Sequence, residues 1–279
     1  YNVAKLAATG GLVYLAGYLI EHVGVVQAWM LIMGCCGAIM LLLGLYHWKM
    51  LPSDKAVSEN RVTSAADTWN ALKDVILTFF QKKYIALYIL FIILYRFAEG
   101  LVMKIVPLFL KAPLADGGLG LTEQQIGLYY GSFGAAAFVL GSFMAGYYIS
   151  HSGLKKTLFT LCCVFNFPFV VYPLLALYQP DSPWLIGGAI TFEYFGYGFG
   201  FVGLTLFMMQ QVAPGKHQMA HYAFASGIMN LGVMIPGMIS GFLSDWLGYA
   251  QYFIVVLFAA IPVLILVRFL PFTYPDEKK

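Results

Sequence analysis

Apolar residues fill eight long windows of this chain, at roughly 3–22, 25–47, 84–111, 122–150, 155–178, 183–212, 217–247 and 250–270. Each is long enough to cross the ~30 Å hydrocarbon core of a bilayer as a helix. The breaks between them carry turn chemistry: Pro113 with Gly117 and Gly118, Ser152-Gly153, Pro180-Asp181-Ser182-Pro183, and Pro214-Gly215. The pattern predicts an all-α integral membrane protein with eight transmembrane helices. One long polar stretch, 48–83, interrupts it. In its second half Trp69, Leu72, Val75, Ile76, Phe79 and Phe80 recur at helical spacing opposite Asn70, Lys73 and Asp74, after a capping-box signature Ser64-Ala-Ala-Asp67. This reads either as an amphipathic helix on the membrane surface or as a solvated loop with one amphipathic turn.

Composition agrees. With 61% hydrophobic and 10% charged residues, and a mean hydropathy of +0.78, the chain is far from a soluble domain, which carries about 25% charged residues. Lys and Arg set its direction. If 48–83 is cytoplasmic, that side holds thirteen of them, from Lys5 through Lys49, Lys82, Lys155 and Lys216 to Lys279, while the other side keeps only Lys111. The C-terminus is then cytoplasmic too. Cys35-Cys36 and Cys162-Cys163 are adjacent pairs inside apolar runs, wrong for metal ligation or a disulfide framework, and read as small core residues. No phosphate loop, zinc-protease motif or nucleophile elbow is visible, which argues against an ATP-driven pump and an enzyme and implies no cofactor or metal; nothing points to nucleic acid.

The chemistry lies in the few polar residues inside the windows. Arg96 and Glu99 sit near the middle of Tyr84 to Leu110, where a charge costs at least ~2.5–3.5 kcal/mol. Their i, i+3 spacing puts both on one helix face, with Met103 beside them. That face is expected to look into protein or a water-filled cavity, toward a neighbouring bundle, as part of a solute pathway; the alternative is an ion pair that only fixes packing. Glu193 is a second buried acid with no basic residue close by in its own span, so it can exchange a proton or, alternatively, cap neighbouring hydroxyls. Gly196, Gly198 and Gly200 permit either a hinge or close helix contact, and Pro107, Pro168, Pro173 and Pro236 are kink candidates. Tyr194, Tyr197, Tyr222 and Asn230 offer the hydroxyl, amide and aromatic groups of a sugar- or peptide-binding cavity, or are ordinary core. Lys104 either snorkels outward or meets an anionic ligand. His47, His151 and His217 lie at span ends and read as interfacial.

An echo of the form Gly-x-x-x-acid-x-x-Gly recurs at Gly17 to Gly24 and Gly241 to Gly248, with a variant at Gly146 to Gly153 in which Ser150 stands for the acid. The Gly146 and Gly241 copies are three spans apart and so face opposite sides, as an inverted repeat of three-helix units requires. This pattern resembles the major facilitator superfamily, whose signature between the second and third helices of a half is matched from Gly146 to Lys156, with Gly146 and Gly153 as gating positions. The resemblance implies a chain that begins at the fifth of twelve helices. Residues 1–47 would be the last two helices of an N-terminal bundle, 48–83 a cytoplasmic linker, and 84–279 a C-terminal six-helix bundle with a short tail.

Two stretches resemble the AmpG-type muropeptide permeases more closely. They are Leu94-Tyr-Arg96-Phe-Ala-Glu99-Gly-Leu-Val-Met, and Phe192-Glu193-Tyr-Phe-Gly-Tyr-Gly-Phe-Gly-Phe with Ala220-His-Tyr222-Ala-Phe-Ala-Ser and Ser240-Gly-Phe-Leu-Ser-Asp-Trp-Leu-Gly248-Tyr. Arg96 and Glu99 stand where those permeases have Lys and Asp. The resemblance implies a proton-coupled importer of anhydromuropeptides or similar sugar-peptides in the bacterial inner membrane. Glu193 and Glu99 would couple protons, and Arg96, Glu99, Tyr194, Tyr197, Tyr222 and Asn230 would meet the solute. Gly196, Gly198, Gly200 and Pro236 would bend. The partners would be a small solute, a proton, the lipid bilayer and the missing N-terminal helices. A facilitator or antiporter for another solute, and more remotely a membrane receptor or enzyme, are the competing readings.

Overall fold

A computed structural model describes residues 12–50 and 65–274. The supposed capping Ser64 and the side chain of Asp67 lie outside the described residues. Among the described residues the chain is mostly helical, with no strand. The elements are α1 (Leu12–Val23), α2 (Val25–Met50), α3 (Ala65–Phe80), α4 (Ile85–Lys111), α5 (Glu123–Ser152), α6 (Leu154–Tyr178), α7 (Pro183–Phe207), α8 (Gln218–Leu247) and α9 (Tyr249–Phe269). Six of these, α2, α4, α5, α6, α8 and α9, are long and apolar enough to cross a membrane. The seventh expected span, α7, runs 25 residues, and the glycines and tyrosines at its centre make it less apolar. Of the window 3–22 only the part from Leu12 is described.

Local signals explain the ends. Thr122 caps α5 through a reciprocal box, its Oγ1 accepting from the Gln125 N–H at 3.3 Å while Gln125 Oε1 accepts from the Thr122 N–H at 2.9 Å. Gly153 (φ +81) and Gly248 (φ +72) turn α5 into α6 and α8 into α9 in a backbone region that only glycine enters freely. Pro168 opens a 3-10 turn, Phe167–Val170, inside α6.

Helix pairing follows a pseudo-twofold. The closest partners are α4 with α8 and α5 with α7, and α6 meets α9. If α4, α5 and α6 correspond to α7, α8 and α9, the first two pairs exchange and the third maps onto itself. Glycines set both closest approaches. A Cβ on Gly100 would stand 2.6 Å from the Val233 carbonyl and one on Gly232 3.0 Å from the Ile93 backbone; Gly141 and Gly198 meet the Phe195 and Phe138 carbonyls across the related pair. The obstruction at Gly198 is backbone, which cannot rotate away. Gly198→Ala is therefore expected to cost roughly 1–3 kcal/mol, read as a lowered melting temperature in detergent, whereas Ala at Gly146, which has open space around it, should leave melting unchanged.

The N-terminal helices stand apart from this core. α1 leans on the start of α5, where Gly17 faces Gln124 and Gly127 faces Tyr14; α2 is largely exposed. Lys and Arg gather at one end of the bundle, called here the basic end. There α3 docks by Phe79, one of the apolar residues of the sequence pattern, and by Thr78 and Asp74, which the pattern did not select. Phe79 is buried, stacked on Phe224 at 5.5 Å, and Thr78 Oγ1 lies 3.2 Å from His221 Nε2. Asp74, expected on the solvent side, meets Lys216 Nζ at 2.9 Å and His217 Nε2 at 2.8 Å. The hydrogen bond from His217 and that from Lys216 hold its carboxyl below the usual carboxylate range. His217 is thus a docking residue, not merely interfacial. Trp69, Leu72 and Phe80 stay exposed, an apolar edge suited to a lipid surface.

Lys82 completes the clasp. Its Nζ donates to the carbonyls of Val212 (2.5 Å), Pro214 (2.7 Å) and Ala213 (3.2 Å), the acceptors left over where α7 ends. Burial pushes this ammonium down to about 8, while the three carbonyl dipoles hold the proton on. Lys82→Met leaves those acceptors without their donor. We expect a loss of about 1 kcal/mol and faster proteolysis of 48–83.

Candidate functional site

Two helices bring the ionisable residues together, and two more supply phenols. Arg96 and Glu99 lie on the face of α4 that packs inward, 6% and 5% exposed. Arg96 Nε donates to Glu99 Oε2 at 2.6 Å, and Nη2 donates to Oε1. The bidentate pairing offsets the desolvation of both charges. The guanidinium also stands over the Phe201 ring at 5.3 Å, and the Tyr197 hydroxyl hydrogen-bonds into the same pair. Tyr95, one residue before Arg96, donates to the Gly200 carbonyl at 2.8 Å. The pair therefore points at α7, inside the bundle. The expectation that it would face a neighbouring bundle is corrected: the pair is buried inside the bundle, where Phe201 and Tyr197 of α7 cover it.

Glu193 occupies the same layer, 7% exposed. Among the described residues no cation faces it at ion-pair distance. Tyr172 of α6 and Tyr130 of α5 lie beside it. Tyr130 meets the Tyr194 ring edge-on at 5.1 Å, and Tyr194 meets Tyr197 at 6.3 Å. Two carboxyl groups thus share a layer with four tyrosines, closed around by Phe138 and Phe165.

The fold brings together Arg96, Glu99, Glu193, Tyr194 and Tyr197. It leaves out two expected site residues. Tyr222 is half-buried near the start of α8, at the basic end, and Asn230 is exposed farther along that helix. The reason is register: the α8 face on α4 is the one bearing Gly232 and Pro236, and Asn230 lies off it. Lys104 is exposed, its stem along Gly237.

Around Gly196, Gly198 and Gly200 the helix is continuous, with no local unwinding. Each glycine meets a neighbour a Cβ would strike: Pro168 and the Val164 carbonyl, the Phe138 carbonyl, and Phe165. They pack; the irregular segments lie elsewhere, in π-helical turns at Gly127–Gly134 and Met208–Val212. Pro236 sits inside α8 against Gly100.

Tyr130, Tyr172 and the π-turn were missed by sequence reasoning. The one signal was Tyr129-Tyr130 between Gly127 and Gly131, because consecutive tyrosines in a regular helix point about 100° apart. In the π-turn they straddle α7, Tyr129 against Gly187 and Tyr130 against Tyr194. A separate, apolar cleft of about 410 Å³ lies beside this turn, lined by Tyr129, Phe133, Pro183, Trp184 and Thr191 among others, and does not include Glu193. Among the described residues no His, Cys, Asp and Glu cluster could hold a metal ion, and the four cysteines are unpaired.

A helical membrane bundle with acids buried at its centre and a pseudo-twofold pairing defines a class of multi-pass membrane protein, and the family comparison gives it a name. Residues 90–279 match the Major Facilitator Superfamily, and the chain belongs to that family. Among curated proteins it is similar to "Putative transporter AmpG 2" of Rickettsia felis, 24% identical over 97% of this chain and 61% of that protein. It is also similar to "Putative transporter AmpG 1" of Rickettsia conorii, 22% identical over 95% of this chain and 62% of that protein. An uncharacterized protein of Haemophilus influenzae is 24% identical over 66% of this chain and 44% of its own length. The chain thus spans about three fifths of the first two relatives. The two Rickettsia relatives are transporters by name.

Proposed function

We propose that the full-length protein is a proton-coupled secondary transporter that imports an anhydromuropeptide or a similar anionic sugar-peptide across the bacterial inner membrane, with the basic end cytoplasmic. One observation carries the reading: two carboxyl groups share a buried layer, one neutralised by Arg96 and the other, Glu193, without an ion-pair partner among the described residues. A buried acid with no cation is one that can pick up and release a proton as its surroundings change. The sequence resemblance to AmpG-type muropeptide permeases suggests the solute class, and the positive-inside asymmetry of Lys and Arg supports the orientation. Arg96 would take the solute's carboxylate as its planar fork now takes Glu99, and release of Glu99 would let that acid protonate. In this reading 48–83 is the cytoplasmic linker between two bundles, 1–47 belongs to the first and 84–279 to the second.

The bidentate Arg96–Glu99 pair also supports a second reading, a facilitator or antiporter for another organic anion, which needs the Arg fork but no proton. Uptake into sealed vesicles holding the full-length protein, with and without an imposed pH gradient, separates the two. Symport predicts accumulation of an anhydromuropeptide, above a plain peptide, only with the outside acidic. Uptake indifferent to the gradient would favour the facilitator.

A further inference from the structure

Beyond α9 the chain turns back across the bundle. The helix closes with a 3-10 turn, Val267–Phe269, and Leu270 is then extended (φ −73, ψ +118), the conformation favoured before a proline. Residues 271–274 form a strap over the basic end, between α4 and α7, the helices that carry Arg96, Glu99 and Glu193. Both sides hold it. From α4, the Tyr88 hydroxyl donates to the Pro271 carbonyl at 3.1 Å and lies 2.8 Å from Thr273 Oγ1. From the π-turn that ends α7, Met208–Val212, Gln211 turns both ends of its amide to the strap. Its Oε1 accepts from the N–H groups of Thr273 (2.8 Å) and Tyr274 (3.1 Å), and its Nε2 donates to the Tyr274 carbonyl at 2.8 Å. Between these attachments the Phe272 ring meets Phe207 edge-on at 6.0 Å, and Phe207 meets Tyr88 at 5.3 Å.

We propose that this strap is a releasable staple: it ties the basic end of α4 to that of α7, and the two ends part only when it lets go. Tyr88 and Gln211 are positioning residues, acting on each other's helix through the strap. The inference goes beyond the coupling reading and stands whatever solute the bundle carries. Its consequence for the site is mechanical. Arg96 and Glu99 are built on one of the stapled helices and Glu193, Tyr194 and Tyr197 on the other, so the staple limits how far the two halves of the site can separate toward the basic end.

Three features distinguish a staple from ordinary packing. Gln211 is 2% exposed, and a buried amide is costly unless its hydrogen bonds are made; a leucine would fill the same space, and only the strap backbone calls for the amide. The strap itself is held lightly. Thr273 and Tyr274 are exposed, their attachment is largely through backbone groups at the surface, and such segments open at the low end of a protein's stability range. Finally, the strap grips α7 at its irregular π-turn, a kind of segment frequent at functional sites, whose following carbonyls, Val212 to Pro214, are already gripped by Lys82 from the other side.

The test needs no solute. Amide hydrogen exchange of the full-length protein in lipid vesicles is followed by mass spectrometry. Thr273→Pro removes the N–H that Gln211 accepts and the hydroxyl that Tyr88 meets, and changes nothing in α4 or α7. Exchange should speed at least about tenfold at 208–215 and at 85–91, while residues 236–247 of α8, at the far end, exchange as in wild type. Faster exchange confined to the strap would make it a passenger and overturn the proposal. Faster exchange at 236–247 as well would mean that the variant loosens the whole bundle, and Tyr88→Phe then decides. It keeps the ring on Phe207 and deletes one hydroxyl on α4, so an effect on the end of α7 has to pass through the strap. About fivefold faster exchange at 208–215 in Tyr88→Phe would support the staple, and exchange there at the wild-type rate would overturn it.

Discussion

Glu193→Gln in the full-length protein is expected to abolish accumulation of solute against its gradient while solute-for-solute exchange continues. The amide has nearly the shape of the carboxyl group, so the packing of α5, α6 and α7 is retained; what is lost is the ability to take up and release a proton. A proton-coupled carrier with this change becomes a facilitator. Uphill accumulation should fall at least about tenfold, and the pH dependence of uptake should flatten with it. Exchange between equal solute pools at equal pH needs no net proton movement and should stay close to wild type. Measured side by side, the two assays separate a coupling residue from one that merely holds the fold, since a folding defect would depress both.

Glu99→Gln is expected to act differently and at least as strongly. Arg96 is 6% exposed and its guanidinium is engaged by Glu99 on two nitrogens. Neutralising Glu99 strands a buried cation, which costs about 3–5 kcal/mol when a buried pair loses one partner. The variant should melt well below wild type in detergent, and exchange should fail along with accumulation. The double variant Arg96→Gln with Glu99→Gln removes both charges and should recover much of the stability without recovering transport. If the single variant melts like wild type, the pair is not the closed, desolvated contact described above.

Much of this was legible in the chain because a bilayer leaves few ways to bury backbone. Apolar run length gave the helices of the bundle to within a few residues at most ends, the Lys and Arg distribution found the basic end, and the cost of a buried charge singled out Arg96, Glu99 and Glu193. What stayed hidden depends on contacts between helices. Asn230 and Tyr222 have the right chemistry, but the face of α8 is chosen by Gly232 and Pro236 against α4. The glycines at 196, 198 and 200 read equally as hinge or contact until the Phe138 carbonyl and Phe165 are seen against them. Tyr130 and Tyr172 look like any of the other tyrosines in the sequence, and only a π-turn, which leaves no periodic trace, aims Tyr130 at the acids. On α3 the spacing found Phe79 but ranked Asp74 as solvent-facing, whereas Lys216 and His217 meet it from a segment more than a hundred residues away.

The claim that ties these observations together is that a proton crosses with the solute and that Glu193 carries it. The most direct measurement is the pH change inside sealed vesicles holding the full-length protein, with no gradient imposed, when an anhydromuropeptide is added outside. The account predicts that the lumen acidifies as the solute enters, and that Glu193→Gln vesicles take up solute with no pH change. Solute entry into wild-type vesicles without acidification, or acidification undiminished by Glu193→Gln, would contradict it.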